Sequence, residues 1–254
     1  MRGILTWHSL DTSGSPISVA PDVFRQQVRF LASGRVRVVS LTELAHSPDD
    51  GTDVVALTFD DGFANVGDIA VPLLREHSLT ATIFAVTEHV GGFNDWGGRS
   101  VQGIPTLPLM DWTSLGAVRE AGLEVGAHTR RHRDLTTVSG AALEDEVAGC
   151  VEVIAAKTGV RPASFAYPYG GVGADAVVAI RDVYQQAVTT ELRLLDRSED
   201  LALLPRLDMF YFRSPGQLEA WGRRSFKQRL WLRAQGRRVR AMVAGAQGLG
   251  AHHE

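Results

Sequence analysis

Two short stretches hold the residues best able to do chemistry. Thr58-Phe59-Asp60-Asp61-Gly62 sets two carboxylates side by side. Like charges that close are costly unless a cation or a base lies near. A solvated Asp-Asp-Gly turn is the plain alternative. His128-Thr129-Arg130-Arg131-His132 carries two imidazoles four residues apart, which share one side if the segment makes a helical turn. Neutral imidazoles suit Zn²⁺ and similar cations, and a carboxylate can complete a three-ligand site with a position open to water. Two surface histidines in a basic loop are the competing reading. Cys150 falls in a helical pattern without an evident base nearby and reads as a small apolar packing residue. No phosphate-binding glycine loop, GxGxxG after the first strand or GxSxG elbow is present.

These residues need elements to position them, and the pattern supplies alternating strands and helices. Gly3–Trp7 reads as a buried strand, Pro21–Ala32 as a helix with Val23, Phe24, Val28 and Leu31 on one face, Arg35–Val39 as a strand and Leu41–Ala45 as a short helix. Val54–Phe59 is β-rich and runs into the Asp60-Asp61-Gly62 turn. Helices are expected over Ile69–His77, Met110–Ala121, Ser139–Thr158 and Ala174–Arg181, with Gly159 closing the third. Strands are expected over Thr80–Val86, Leu123–Ala127, Ala163–Ala166, Tyr184–Val188 and Leu201–Leu207. Alternation of this kind implies a parallel sheet. In barrel-type α/β folds the C-terminal strand ends carry the chemistry. Three strand ends deliver Asp60/Asp61, His128/His132 and Tyr167-Pro168-Tyr169-Gly170. A Gly-, Asn- and Pro-rich loop spans 88–110; its Phe93 and Trp96 either line a groove or anchor the loop.

The chain of 254 residues is long enough for one large α/β domain. Residues 1–220 carry 18 bases against 28 acids, while 221–254 carry eight bases and one acid. A mildly acidic body thus ends in a basic segment rich in Trp221, Phe226, Leu230, Trp231 and Leu232. Such a segment fits either a peripheral contact of 221–240 with an anionic membrane surface or a helix packed on the domain with a solvated basic face. No nucleic-acid-reading module accompanies it, so no nucleic-acid partner is expected. The first eleven residues hold no apolar run of signal length, and one cysteine forms no internal disulfide. Cytoplasmic residence, peripheral to a membrane face if the basic segment docks there, is the expectation.

Taken together, TFDDG, HTRRH and FAYPYG, in this order and after strands, resemble the polysaccharide deacetylases with a NodB-like domain (carbohydrate esterase family 4). The opening ILTWHSLD and the stretch VAPDVFRQQVRFLASGRVRVVSLTEL resemble a circularly shifted subgroup that includes poly-β-1,6-N-acetylglucosamine deacetylases. The resemblance covers roughly residues 2–210. It implies a distorted (β/α) barrel with mostly parallel strands. The resemblance also implies Asp60 as catalytic base, Asp61, His128 and His132 as metal ligands, Thr129 as an aid to loop orientation, and the backbone N–H of Tyr169 as oxyanion donor. The metal implied is Zn²⁺, with Co²⁺, Ni²⁺ or Mn²⁺ as substitutes.

Two features depart from the family pattern. Ala166 stands where many members carry an Arg that orients the base; Arg206, in LLPRLD, is the substitute candidate, against the reading of an ordinary surface Arg. The C-terminal Leu-x-His that supplies the general acid is missing, and His8 is its candidate replacement.

The expectation is one NodB-like domain over 1–213 with a basic helical tail over 214–254. The expected reaction is hydrolysis of an N-acetyl group from an amino sugar or saccharide, with a lipid-linked substrate as one option. A catalytically inactive carbohydrate-binding scaffold and an amidohydrolase or deformylase acting on another amide are the competing readings.

Overall fold

A computed structural model describes residues 1–96, 98 and 101–246, with side chains through Arg237. Three residues of the 88–110 loop, the end of the basic segment beyond residue 246, and the side chains of Arg238 and Arg240 lie outside the described residues.

The elements run β1 (Arg2–Trp7), α1 (Pro21–Ala32), β2 (Arg37–Val39), α2 (Leu41–His46), β3 (Val54–Phe59), α3 (Ala64–Glu76), β4 (Thr82–Ala85), α4 (Trp112–Glu120), β5 (Glu124–Ala127), α5 (Gly140–Val147), α6 (Gly149–Thr158), β6 (Ser164–Ala166), α7 (Ala174–Val183), β7 (Gln186–Val188), β8 (Leu207–Asp208) and α8 (Arg224–Ala246). Local chemistry sets several boundaries. Pro21 opens α1, the Ser40 hydroxyl caps α2 through the Glu43 N–H, the Asp111 carboxylate caps α4 through the Ser114 N–H, and left-handed Gly159 ends α6.

All pairs are parallel, in the order β7-β6-β5-β4-β3-β1-β8. One edge of β3 is shared, by β2 along Val54–Ala56 and by β4 at Thr58–Phe59. The ring is completed irregularly. Leu204 bridges to Val188 beyond β7, and Leu207 then pairs with Leu5 of β1. The result is a distorted (β/α) barrel.

The period-2 alternation of strands separates two apolar regions. Leu5, Trp7, Val55, Leu57, Phe59, Ile83, Val125 and Phe165 face the helices in the main core. Ile4, Val54, Ala56, Phe84, Ala166, Val188 and Leu204 form a second cluster inside the ring. Along β1 and β3 the inward series continues as Thr6 and Thr58, then His8 and Asp60. The interior is therefore apolar at the start of the strands and polar at their C-terminal ends. Gly126 is required here, because a Cβ would lie 2.5 Å from the Phe84 ring.

Three expected elements are corrected. The helix expected over Ser139–Thr158 is two helices interrupted at Ala148. Gly149 is a weak helix former packed against the Arg130 side chain, which its Cβ would meet at 2.9 Å. The strand expected over Leu201–Leu207 is an irregular crossing with pairing only at Leu204 and Leu207–Asp208, since it has to pass from β7 to β1. The helix expected from Ile69 begins at Ala64.

The basic segment folds onto the domain at its start. Trp221, Phe226 and Leu230 are buried; Phe226 stacks on Phe212, with ring centroids 5.2 Å apart. The other face of α8 is open, with Trp231 61% and Leu232 62% exposed.

Candidate active site

The strand ends converge on one polar cluster. The Asp60 N–H donates to the Trp7 carbonyl at 2.9 Å, extending the β1–β3 ladder and setting Asp60 beside His8. The His128 N–H donates to the Ala85 carbonyl at 3.0 Å, which extends β5 in the same way. Asp61, His128 and His132 are all buried. Asp61 Oδ1 lies 3.4 Å from His128 Nε2 and 3.3 Å from His132 Nε2, and the two Nε2 atoms are 3.2 Å apart.

This triangle has the donor set and size of a metal site. Ligands about 2.0–2.1 Å from a tetrahedral Zn²⁺ lie about 3.3–3.4 Å apart. Asp61 Oδ1 is buried without a hydrogen-bond partner, a costly state for a carboxylate oxygen that faces only two imidazoles. A bound cation removes that cost. These residues form a candidate metal centre.

Supporting groups fix each imidazole. His128 Nδ1 lies 2.8 Å from the Ala166 carbonyl, and His132 Nδ1 lies 2.8 Å from the Tyr169 hydroxyl. Partners of this kind hold the ring so that the other nitrogen faces the metal. Trp96 stacks on His132 at 4.2 Å, so the 88–110 loop reaches the site. Phe93 is 52% exposed and bridges to Pro108.

The loop between the two histidines is clamped from behind. Glu146 is fully buried on α5. Its carboxylate accepts from the backbone N–H groups of Arg130 at 3.0 Å and Arg131 at 2.9 Å. The Thr129 hydroxyl accepts from the His132 N–H at 2.9 Å. Asp61, Thr129, His132 and Tyr169 all have left-handed backbones, with φ of 69°, 63°, 58° and 57°. Non-glycine residues pay for that conformation and keep it only when their surroundings impose it.

Asp60 is held by a buried guanidinium. Arg206 reaches its two oxygens at 2.6 and 2.7 Å. Arg206 in turn donates to the Thr189 carbonyl at 2.9 Å and to the Thr6 and Thr58 hydroxyls at 2.9 and 3.3 Å. The surface-Arg reading of Arg206 is thereby excluded. His8 Nε2 lies 3.6 Å from Asp60 Oδ2.

The electrostatics follow from these contacts. Burial opposes the charge on Asp60, but Arg206 and, more weakly, His8 hold its carboxyl below the usual range. Burial also opposes the charge on Asp61, yet His128 and His132 hold it far below that range. Burial works against protonated His128, and the Asp61 and Asp60 carboxylates overcome it and raise its pKa. For His132 burial prevails and the pKa falls.

Every residue singled out from the sequence thus meets the cluster: Asp60, Asp61, His128, His132, Arg206, His8 and Tyr169. Sequence reasoning missed Glu146, whose sequence context is an ordinary acidic helix, and Asp208. Asp208 alternates inward from Leu207, pairs in register with Thr6, and lies within electrostatic reach of His8. Its place two residues after Arg206 at a strand end was a usable signal.

Comparisons with known proteins agree with this fold. The Bacillus subtilis (strain 168) protein YxkH is 22% identical over 218 residues, covering 84% of this chain and 71% of YxkH. Four further curated relatives are spanned over less than half their length. The fold is similar to that of the Streptococcus pyogenes deacetylase PplD, solved in complex with acetate, at a TM-score of 0.68 and 21% identity over 81% of this chain and 91% of PplD. IcaB from Ammonifex degensii matches equally, with a TM-score of 0.68 and 21% identity over 86% of this chain and 94% of IcaB. The family model for polysaccharide deacetylase matches residues 47–188. His8 and Arg206 fall on either side of that stretch, so strands outside it complete the site around Asp60. With more than half of its 254 residues matched, the chain belongs to the polysaccharide deacetylase family.

Proposed function

We propose that this protein is a metal-dependent deacetylase that removes an N-acetyl group from an amino sugar within a saccharide. The observation that carries the proposal is the pairing of two units: the Asp61–His128–His132 triangle, and Asp60 held ionised beside it by Arg206. A divalent cation held by the triangle, Zn²⁺ by its donor set with Co²⁺, Ni²⁺ or Mn²⁺ as substitutes, would polarise the acetamide carbonyl and lower the pKa of the attacking water.

The chain's own residues account for the protons. Asp60, as base, takes one proton from water as the new C–O bond forms. Arg206 orients Asp60 and keeps it charged. The backbone N–H of Tyr169, set by the turn at Pro168–Gly170, donates to the oxygen on which negative charge develops. His8 supplies the proton to the nitrogen as the C–N bond breaks, giving acetate and a free amine. Asp208 lies within electrostatic reach of His8 at the neighbouring strand end.

The outer face of α8, with Trp231 and Leu232 exposed among Arg224, Lys227 and Arg229, fits a peripheral contact with an anionic membrane surface. Such a contact suits a lipid-linked saccharide.

Acetate release from N-acetylated oligosaccharides tests the reading. Asp60→Asn should retain the metal and lose on the order of 10²–10⁴ in rate. Near wild-type turnover of that variant would remove Asp60 as base, and purified protein that neither holds nor takes up a divalent ion would sink the proposal.

A further inference from the structure

Beside the metal centre runs a groove of about 460 Å³, lined in part by Gly170, Val172, Thr190, Glu191, Leu203 and Arg237. Its volume falls in the range of small-molecule sites. It abuts the reacting groups at two points. Gly170 follows Tyr169, whose hydroxyl holds His132, and lies so close to Thr190 that a Cβ would sit 2.0 Å from the Thr190 hydroxyl. Thr189, which also lines the groove, holds Arg206 through its carbonyl. One wall is built by α8, far outside the matched stretch 47–188.

The chemistry of the lining is directional. The Thr190 hydroxyl has no hydrogen-bond partner among the described residues, and Val172 and Leu203 offer apolar surface. That mixture suits a sugar ring. The Glu191 carboxylate is already paired, 3.0 Å from Arg193 Nε. Arg237 is half-buried, with its guanidinium 5.9 Å from the Tyr211 ring centroid and no ion pair among the described residues. No acidic residue lies on α8, and the Asp208 carboxylate of β8 lies within electrostatic reach of Arg237 without forming an ion pair with it. A half-buried guanidinium that makes no ion pair, presenting paired N–H donors to a groove, matches an oxyanion such as a carboxylate or phosphate.

We propose that this groove binds a saccharide unit bearing an anionic group, next to the N-acetylated unit, and that Arg237 pairs with that group. The proposal rests on the deacetylase reading for the identity of the neighbouring unit. It makes Arg237 a specificity residue for uronate- or phosphate-bearing glycans.

Equilibrium binding to the full chain, followed by calorimetry, tests it. The probes are three N-acetylated oligosaccharides of equal length: one neutral, one with a flanking uronate, one with a flanking phosphodiester. The wild type should bind at least one anionic probe about ten- to a hundredfold more tightly than the neutral one. The preferred probe identifies the anion. Arg237→Ala should abolish the preference without weakening the neutral probe, Arg237→Lys should keep part of it, and Arg229→Ala, on the exposed face of α8, should leave it intact. Equal affinity of the wild type for all three probes would overturn the proposal. So would an undiminished preference in Arg237→Ala, provided that the variant melts as the wild type does, or an equal loss in Arg229→Ala, which would assign the effect to the overall charge of α8. Acetate release is scored separately on the same probes. Its absence on every one would refute the deacetylase reading, whereas charge-blind binding with turnover would refute only the groove.

Discussion

At the scale of single residues, the site places two buried carboxylates next to each other and gives them different partners. Asp60 is neutralised by a guanidinium and kept from binding a cation through that atom pair; Asp61 faces two imidazoles, which leaves it able to hold a cation. The same arrangement sets the pH response. In the metal-free protein Asp61 and Asp60 raise the pKa of His128 despite its burial. A protonated His128 cannot ligate, so metal and proton compete for Nε2. Zn²⁺ affinity should therefore be full well above that raised value, which lies above the ordinary ~6.5. It should fall by about tenfold per pH unit below it, for one displaced proton. Competition with a chromophoric chelator across pH 5.5–9 measures this, and a flat profile would show that His128 is not protonated in the free site.

At the scale of elements, the histidine loop is shaped by helix α5 rather than by its own residues. Thr129 and His132 adopt left-handed backbones, and a free loop would relax from them. Glu146 prevents this by accepting both intervening N–H groups. Glu146→Gln keeps the shape of the side chain but replaces a charged acceptor with a weaker neutral one. Zn²⁺ affinity should fall about 10–100-fold, as for other groups that orient ligands, with a stability loss of about 1–3 kcal/mol. Isothermal binding of Zn²⁺ together with a melt separates the two effects. Unchanged affinity in a destabilised protein would make Glu146 a merely structural residue. The interruption of the long helix at Ala148 has the same origin, since Arg130 packs where a longer residue than Gly149 would stand.

At the scale of the whole molecule, α8 has two faces with different duties. Phe226 and Leu230 are buried against the domain, while Trp231 and Leu232 point outward. The faces can be separated by mutation. Phe226→Ala should cost about 3–5 kcal/mol. Trp231→Ala combined with Leu232→Ala should leave the melting temperature nearly unchanged and weaken binding to vesicles containing anionic lipid. If sedimentation with such vesicles is the same for the double variant and the wild type, α8 is only a packed helix with a solvated basic face.

Much of this was legible in the sequence. The residues TFDDG, HTRRH and PYG stand at strand ends, and the strands that lead into them show themselves by local β-propensity. Local chemistry therefore determined most strands and the approximate places of most helices, and the motifs together, by family resemblance, marked the candidate metal-binding set. The pairing of Arg206 with Asp60 was legible only as a candidate, because it joins residues 146 positions apart that meet when the ring closes. Glu146 was illegible because its role comes from the loop it meets across the fold and nothing in its own neighbourhood marks it; Asp208 was overlooked despite its place beside Arg206, and for Trp96 the sequence left open whether it lines a groove or anchors the loop. The sequence alone determined which groups could hold a cation and move a proton. The family resemblance implied which carboxylate takes which role; only the tertiary structure brought the imidazoles to Asp61 and the guanidinium to Asp60, because those contacts are set by distances between strands and not along them.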